Sequence, residues 1–376
     1  MEKALATKHA TVKAPTATGK TIIAIAWLEK ISKPALIIVP TQALIYQSWV
    51  PKLSLYGFQD IGEYYAYAKR LGSVTLTTFS SSISHPELLD GVEAIVVDEI
   101  HHLGARTALE RLLPKMLEKE YVLGLSSVPE REDNAHEFFL REFPICYELT
   151  LGEALRRGYV SPIRLIKVPS KMRGEERIRY EALTRKIQEA FRFCGNDLTK
   201  WRSCYDPSRK KYVGQQGMRA IMLRKKLLSN VEAKKEQVLK IVRSHSEERI
   251  LLFSESIDSI EKIREHLLEN GVPCETFHSR IEPSRKQEIL DEWGRSFQVL
   301  LSCRALEEGM DVKEVAVGIL ITNGASKRQY VQRLGRIIRP MEGKEAKFYI
   351  VYSENTVEER YSKTIESLLR EPYRRY

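Results

Sequence analysis

Three short stretches carry residues whose types and spacing can do phosphate chemistry. In Ala14-Pro15-Thr16-Ala17-Thr18-Gly19-Lys20-Thr21 the terminal Gly-Lys-Thr opens an apolar helical run, "TIIAIAWLEKI". Backbone N–H groups at such a helix start cradle phosphate oxygens, and the helix dipole favours the negative charge. Lys20 is placed to reach terminal phosphates and Thr21 to ligate Mg²⁺, with Thr16, Thr18 and Gly19 shaping the loop. "AIVVDEIHH" (94–102) ends a β-branched run in two acids. There Asp98 can hold Mg²⁺ through water, and Glu99 can orient and deprotonate an attacking water. "QYVQRLGRIIRP" (329–340) spaces Arg333, Arg336 and Arg339 by three, which on a helix is one face. A facing arginine stabilises the charge that develops in phosphoryl transfer, so Arg336 and Arg339 are the candidate catalytic cations.

These residues need rigid elements to hold them. "ALIIVP" (35–40), "VTLTTF" (74–79), "AIVVDE" (94–99) and "YVLGLSS" (121–127) read as buried parallel strands, alternating with helical patterns at 21–31 and 41–49. A second series begins near residue 249, with strands at 249–254, 298–303, 317–322 and 347–352 and helices at 256–271 and 282–294. Both series predict doubly wound α/β units. The expected divisions are 1–165, 166–235 and 236–376. The middle segment is highly charged and mostly helical in pattern.

The chain has 376 residues, 43% hydrophobic and 29% charged, ample for two or three domains. Its net charge is +10, and Lys171–Lys235 alone holds 18 Lys/Arg against 7 Asp/Glu. A basic block beside a phosphate site points to a polyanion partner, although a solvated helical face has the same composition. Trp201, Tyr205 and Tyr212 sit among Arg202, Arg209, Lys210 and Lys211, where they can stack on bases or pack a small core. No apolar run approaches a membrane span and "MEKALATKHATVK" lacks a signal-peptide core, so a cytoplasmic protein is expected. The five cysteines form no CxxC pair and are expected as buried or incidental thiols.

The phosphate loop, DEIH and QRLGRIIR, in this order, resemble superfamily 2 helicases, and the other blocks of that superfamily follow in sequence. "IIVPTQAL" (37–44) is similar to the block in which Pro40, Thr41 and Gln42 would meet a nucleic-acid backbone, and "TLTTFSS" (75–81) to the next such block, with Thr78. "ILLFSES" (250–256) resembles motif IV and "LLSCRALEEGMDV" (300–312) motif V, which by similarity puts Gly309 and Asp311 near the nucleotide. Within the superfamily the likeness is to the XPB family of DNA helicases, of archaeal type with a short N-terminus. DEIHH resembles its DEVH-type box, and Arg131-Glu132-Asp133 its RED motif, a resemblance that would make Arg131 a nucleic-acid contact. The basic segment lies where that family carries a thumb-like element thought to embrace DNA, which would make Lys210 and Lys211 DNA contacts.

The resemblance implies two RecA-like domains with a helical thumb-like insertion, using ATP and Mg²⁺ to unwind or translocate along DNA, in the 3′–5′ direction. It also implies DNA repair or transcription-related opening, sequence-independent binding to single-stranded or forked DNA, and a possible nuclease partner. Motif III, normally SAT or TAT, reads Ser126-Ser127-Val128. Valine has the shape of threonine without its hydroxyl. Weakened coupling of hydrolysis to movement is therefore expected through Ser126, Ser127, Gln332 and Arg333. The family's adenine-reading YQ motif has no counterpart upstream of the loop, and residues 1–13 are expected to hold at most the end of a helix. Weak nucleotide binding with little base selectivity follows as an expectation. An RNA helicase or restriction-type translocase shares the general motifs. A degenerate paralogue that binds DNA or protein with little hydrolysis is the reading from another class.

Overall fold

Short β-branched runs bounded by turn residues collect into two sheets whose central strands are buried on both faces. The fold is given by a computed structural model that describes residues 2–208, 212–303, 315–321, 327–339, 343 and 345–370. The first sheet holds β1 (His9–Lys13), β2 (Ala35–Val39), β3 (Ile61–Tyr65), β4 (Ala68–Arg70), β5 (Val74–Thr78), β6 (Ala94–Asp98), β7 (Tyr121–Ser126) and β8 (Ile145–Glu148). Their order is β4-β3-β5-β2-β6-β7-β1-β8, and the β3–β4 pair alone is antiparallel. The second sheet holds β9 (Ile163–Ser170), β10 (Ile250–Ser254), β11 (Cys274–Phe277), β12 (Val299–Cys303), β13 (Val317–Ile321) and β14 (Ala346–Ser353), in the parallel order β11-β12-β10-β13-β14-β9. Two α/β domains of parallel sheets are thus present. Among the described residues no helix is long and apolar enough to cross a membrane.

Three expectations need correction. Residues 9–13 form a complete strand between β7 and β8, because Ala10, Thr11 and Val12 are buried and the Thr11 hydroxyl donates to Phe143 O at 2.7 Å. The boundary expected at residue 165 falls inside β9, which pairs with β14 from Ile163 to Ser170. β9 is an edge strand of mixed burial, so it lacks the continuous apolar run that marks a central strand. Cys194 and Cys204, expected as thiols, are joined by a disulfide. The connector between them folds back around Trp201, which is fully buried and donates through its indole to Gly195 O at 3.0 Å. That turn brings the two Cα atoms to 6.0 Å, within bridging range.

The insertion is built from the helices Gly174–Cys194 and Val213–Ser229 with the 3₁₀ turn Leu198–Ser203 between them. It has small cores of its own, one around Leu183, Ile187 and Ala220 and one around Ala190, Trp201 and Val213. Gly217 lets the two helices close: a methyl group there would overlap Ala190 and the Trp201 ring.

A buried ion pair anchors the insertion's exit to the second domain. The Lys234 ammonium lies 2.8 Å from both oxygens of Glu358 and 2.7 Å from Leu228 O, with both side chains at 1% exposure or less. Glu358 also accepts from Ser353 N at 2.7 Å. Burial pushes the lysine down and the glutamate up from their ordinary values, and their mutual attraction opposes both shifts. Removing one partner leaves a buried charge without its counter-ion. Lys234→Ala is expected to cost about 3–5 kcal/mol of stability, read as a lower denaturant midpoint. A change under about 1 kcal/mol would show that the pair acts like an exposed one.

Candidate nucleotide and nucleic-acid site

Parallel strands deliver their last residues to one edge of the sheet, and the candidate residues of the first domain stand there. After β1 the chain enters the phosphate loop and then the helix Lys20–Ile31. Ala17 and Gly19 have φ of 70° and 88°, so left-handed residues alternate with ordinary ones. Such alternation turns successive N–H groups inward as an anion-binding nest. The Thr18 hydroxyl donates to Pro15 O at 2.7 Å, bracing the loop. Lys20 donates to Ala14 O at 3.0 Å and Pro15 O at 3.3 Å, which holds its ammonium over the loop. Thr21 is half-buried in the first turn of the helix.

Two strands away, β6 ends in Asp98. Its carboxylate is 8% exposed and accepts from Trp49 Nε1 at 3.0 Å and from Glu99 N at 3.1 Å. Trp49 closes a π-helical turn, Ile45–Trp49, that continues from the Pro40-Thr41-Gln42 block. Extra residues in one helical turn of this kind re-aim side chains and cluster at functional sites. Trp49 was missed in the sequence, because an apolar residue at helical spacing reads as core. Glu99 stands in the left-handed region at φ 51°, directing its side chain toward β7. There it accepts from the Ser126 hydroxyl at 3.2 Å and lies 3.3 Å from His101 Nδ1. The two acids, the Lys20 charge and motif III are thus brought together.

The RED loop joins this cluster from behind. Arg131 donates to His101 O at 3.0 Å and forks onto Asp133 at 2.9 and 2.6 Å. Gly104 leaves the space that the Arg131 side chain fills. The guanidinium expected to meet nucleic acid is therefore engaged with the DEIHH backbone and Asp133. Thr78 is buried and caps the helix Phe79–Ser84, its Oγ1 accepting from Ser81 N at 3.2 Å. Pro40, Thr41 and Gln42 are half-buried, and the Thr41 hydroxyl has no hydrogen-bond partner among the described residues. Ser127 is buried in the same state, and Val128 packs in the core at 5% exposure.

The arginine helix runs Lys327–Ile337. Gln332, Arg333 and Arg336 are buried at 4%, 1% and 7% exposure. Arg333 pairs with Glu255 of the motif IV block and lies 5.8 Å from the Phe253 ring centre. Arg339 falls beyond the helix end, so the spacing of three does not put it on the Arg333–Arg336 face. Instead Ser161, in the connection between domains, holds this end: its N–H donates to Ile338 O at 2.9 Å and its hydroxyl to Arg339 O at 2.8 Å. Gly335 faces the phosphate loop so closely that a methyl group there would overlap Thr16. Gly309, Asp311, Lys210 and Lys211 lie outside the described residues. In the insertion Trp201 packs the core, while Tyr205 and Tyr212 are 42% and 48% exposed with ring centres 4.9 Å apart.

Two expectations follow from this geometry. Gly335→Ala is expected to lower nucleotide turnover about tenfold, an activation cost of about 1.4 kcal/mol, and to do less in a Thr16→Gly background, where space is open. Steady-state turnover of the single and double variants reads this out. Burial, reinforced by the Glu99 charge, pushes the Asp98 carboxyl up to about 6 in the absence of metal. The unfolded chain releases that proton near the ordinary aspartate value, so stability falls as pH rises from about 4 to about 6. Asp98→Asn keeps an acceptor for Trp49. In EDTA it is expected to gain about 2–3 kcal/mol at pH 7 and nothing below pH 4, measured by denaturant unfolding at both.

Residues 3–131 match the family described as type III restriction enzyme, res subunit, and residues 233–341 the helicase conserved C-terminal domain. The DNA 3′–5′ translocase XPB2 of Sulfurisphaera tokodaii is 26% identical over 95% of this chain and 80% of its own length. The putative DNA 3′–5′ helicase Rad25 of Halobacterium salinarum is 29% identical over 93% of this chain. The DNA 3′–5′ helicase XPB of Mycobacterium tuberculosis is 24% identical, also over 93%. The chain spans 52% and 58% of the lengths of these last two. In fold it is similar to the helicase domain of Pyrococcus furiosus Hef, with a TM-score of 0.59 and 17% identity over 96% of both chains. With both helicase domains matched and XPB-type relatives aligned along more than nine-tenths of its residues, the chain has the two domains of a helicase and is similar to XPB-type helicases of superfamily 2.

Proposed function

We propose that the chain is an ATP-dependent DNA translocase or helicase moving 3′ to 5′. The observation that carries this reading is the seating of the arginine helix on the phosphate loop, Gly335 against Thr16. It places a cation-bearing element of one domain over the anion-binding element of the other. The relatives' names supply DNA as the track and 3′–5′ as the direction. DNA repair or transcription-linked opening, with a nuclease as partner, extends the family resemblance.

The residues fit ATP and Mg²⁺. The nest at Ala17–Gly19 and the Lys20 ammonium suit phosphate oxygens, and the buried Asp98 carboxylate with the Thr21 hydroxyl suits a hydrated divalent cation. When bound, ATP supplies the phosphoryl group whose transfer to water releases the free energy for movement. In this reading Glu99 accepts the proton of the attacking water, and Ser126 and His101 fix its carboxylate for that task. Arg336 contributes positive charge from the second domain, and Arg339 follows it past the helix end that Ser161 holds. Closure of the domains brings these cations to the loop and opening withdraws them, so the two strand-binding surfaces alternate their grip. Contacts to the strand through Pro40–Gln42 and the basic insertion are to the backbone, hence independent of sequence and weakened by salt.

The deciding measurement is ATP turnover with and without single-stranded and forked DNA. Loss of the general base is expected to lower DNA-stimulated turnover by about 10²–10⁴-fold in Glu99→Gln, with nucleotide binding retained. Turnover that DNA does not raise, or that Glu99→Gln does not lower, would overturn the motor assignment.

A further inference from the structure

The first sheet carries one more element at the edge where the candidate strand-binding blocks stand. β3 runs parallel to β5, with Tyr64 opposite Thr77, and turns back into β4 with Tyr65 opposite Ala68. Ala66 and Tyr67 are therefore the whole connection. Because β3 is parallel to β5 and β2, this turn projects from the same edge as Thr78 and Pro40. Neighbouring strands lie about 5 Å apart, so the turn extends that row by one strand, on the side away from the phosphate loop.

Two-residue hairpin connections favour glycine, asparagine and aspartate. Here an aromatic ring occupies the tip and is 92% exposed, more than any other large apolar side chain among the described residues. It does not stand alone. Tyr46, on the π-helical turn after the Pro40–Gln42 block, is 55% exposed. It lies near Tyr65, whose hydroxyl donates to Glu63 at 2.8 Å. Cations accompany the rings: Lys69 is exposed with its ammonium 4.0 Å from the Tyr64 ring centre, and exposed Arg70 follows it. Rings interleaved with cations, beside a backbone-binding edge, match the chemistry of a single strand whose bases stack while its phosphates are held.

We propose that the β3–β4 turn is a base-stacking platform on which Tyr67 receives a base of single-stranded DNA leaving the Pro40–Thr78 edge, with Tyr46 near Tyr65 of the same hairpin. This rests on the DNA-motor reading and adds a contact to bases where that reading has contacts to backbone. Lys69 holds a flanking phosphate, while the Arg70 guanidinium donates to Ile61 O at the far end of β3.

The test is fluorescence anisotropy with labelled oligo-dT and with an abasic strand of the same length, at fixed salt. Stacking on one ring corresponds to about 5- to 100-fold in affinity. Tyr67→Ala is expected to lose that factor on oligo-dT and nothing on the abasic strand, and Tyr67→Trp to keep it. The ring is exposed, so unchanged unfolding midpoints are expected to exclude a folding defect. Equal losses on both strands, or no loss on either, would overturn the platform while leaving the motor reading in place. Failure of the unsubstituted chain to bind either strand would remove both. If Tyr67 serves a protein partner instead, the oligo-dT affinity of Tyr67→Ala will match that of the unsubstituted chain, which also rejects the platform.

Discussion

The chemistry of this molecule depends on how closely two backbones can approach. The phosphate loop and the arginine helix belong to different sheets, and they meet where Gly335 presents no side chain to Thr16. A helix normally keeps its neighbours 8–10 Å from its axis through its side chains. One glycine removes that spacing at a single turn and lets the helix that carries Arg336 sit directly against Thr16 of the loop. The price is a buried row of polar groups, which the fold meets by pairing Arg333 with Glu255 and by giving the helix end to Ser161. Those two attachments fix the helix at its middle and at its last carbonyls.

The same logic orders the first domain. Every central strand points the same way, so the loop after β1, the acids after β6, motif III after β7 and the block after β2 all emerge along one edge. Between the phosphate side and the strand-binding side lies a short physical link: the π-helical turn after Gln42 carries Trp49 onto the Asp98 carboxylate. A shift of the Pro40–Gln42 block is therefore felt at the proposed metal ligand through one indole. RED joins from the other side, Arg131 holding the His101 carbonyl and thereby the DEIHH turn.

The strands that hold the chemistry were legible because each is a β-branched run ending in a turn or an acid, and β2, β5, β6 and β7 lie where those runs place them. The edges were not. β9 mixes charged and apolar residues, and β3 and β4 are too short and polar to stand out. For the site, Lys20, Asp98, Glu99 and Arg336 stand out in the sequence as candidates, since phosphate chemistry demands those types. Their surroundings could not. Nothing local distinguishes the Trp49 that meets Asp98 from a core residue, and nothing in a spacing of three reveals that the helix stops at Ile337 before Arg339. The Cys194–Cys204 bridge was hidden for the same reason: it depends on a connector folding around Trp201, a three-dimensional event with no sequence period.

The insertion's cores are separate from those of the two sheets, centred on Leu183 and on Trp201. Its attachment runs through the strand β9, the Lys234–Glu358 anchor and a few hydrogen bonds of its helices, among them Arg177 to the Glu354 and Asn355 carbonyls and Val357 N to the Tyr180 hydroxyl. A unit with its own small cores and a few local attachments opens as a unit, with a free energy set by those contacts rather than by the whole molecule. Its amides should exchange with solvent as one cooperative block, faster than those of β2 or β6. The disulfide across residues 195–203 would keep the tip closed while the helices part. In the proposed reading, the basic surface then adjusts its hold on DNA without loosening the sheets that hold the phosphate loop.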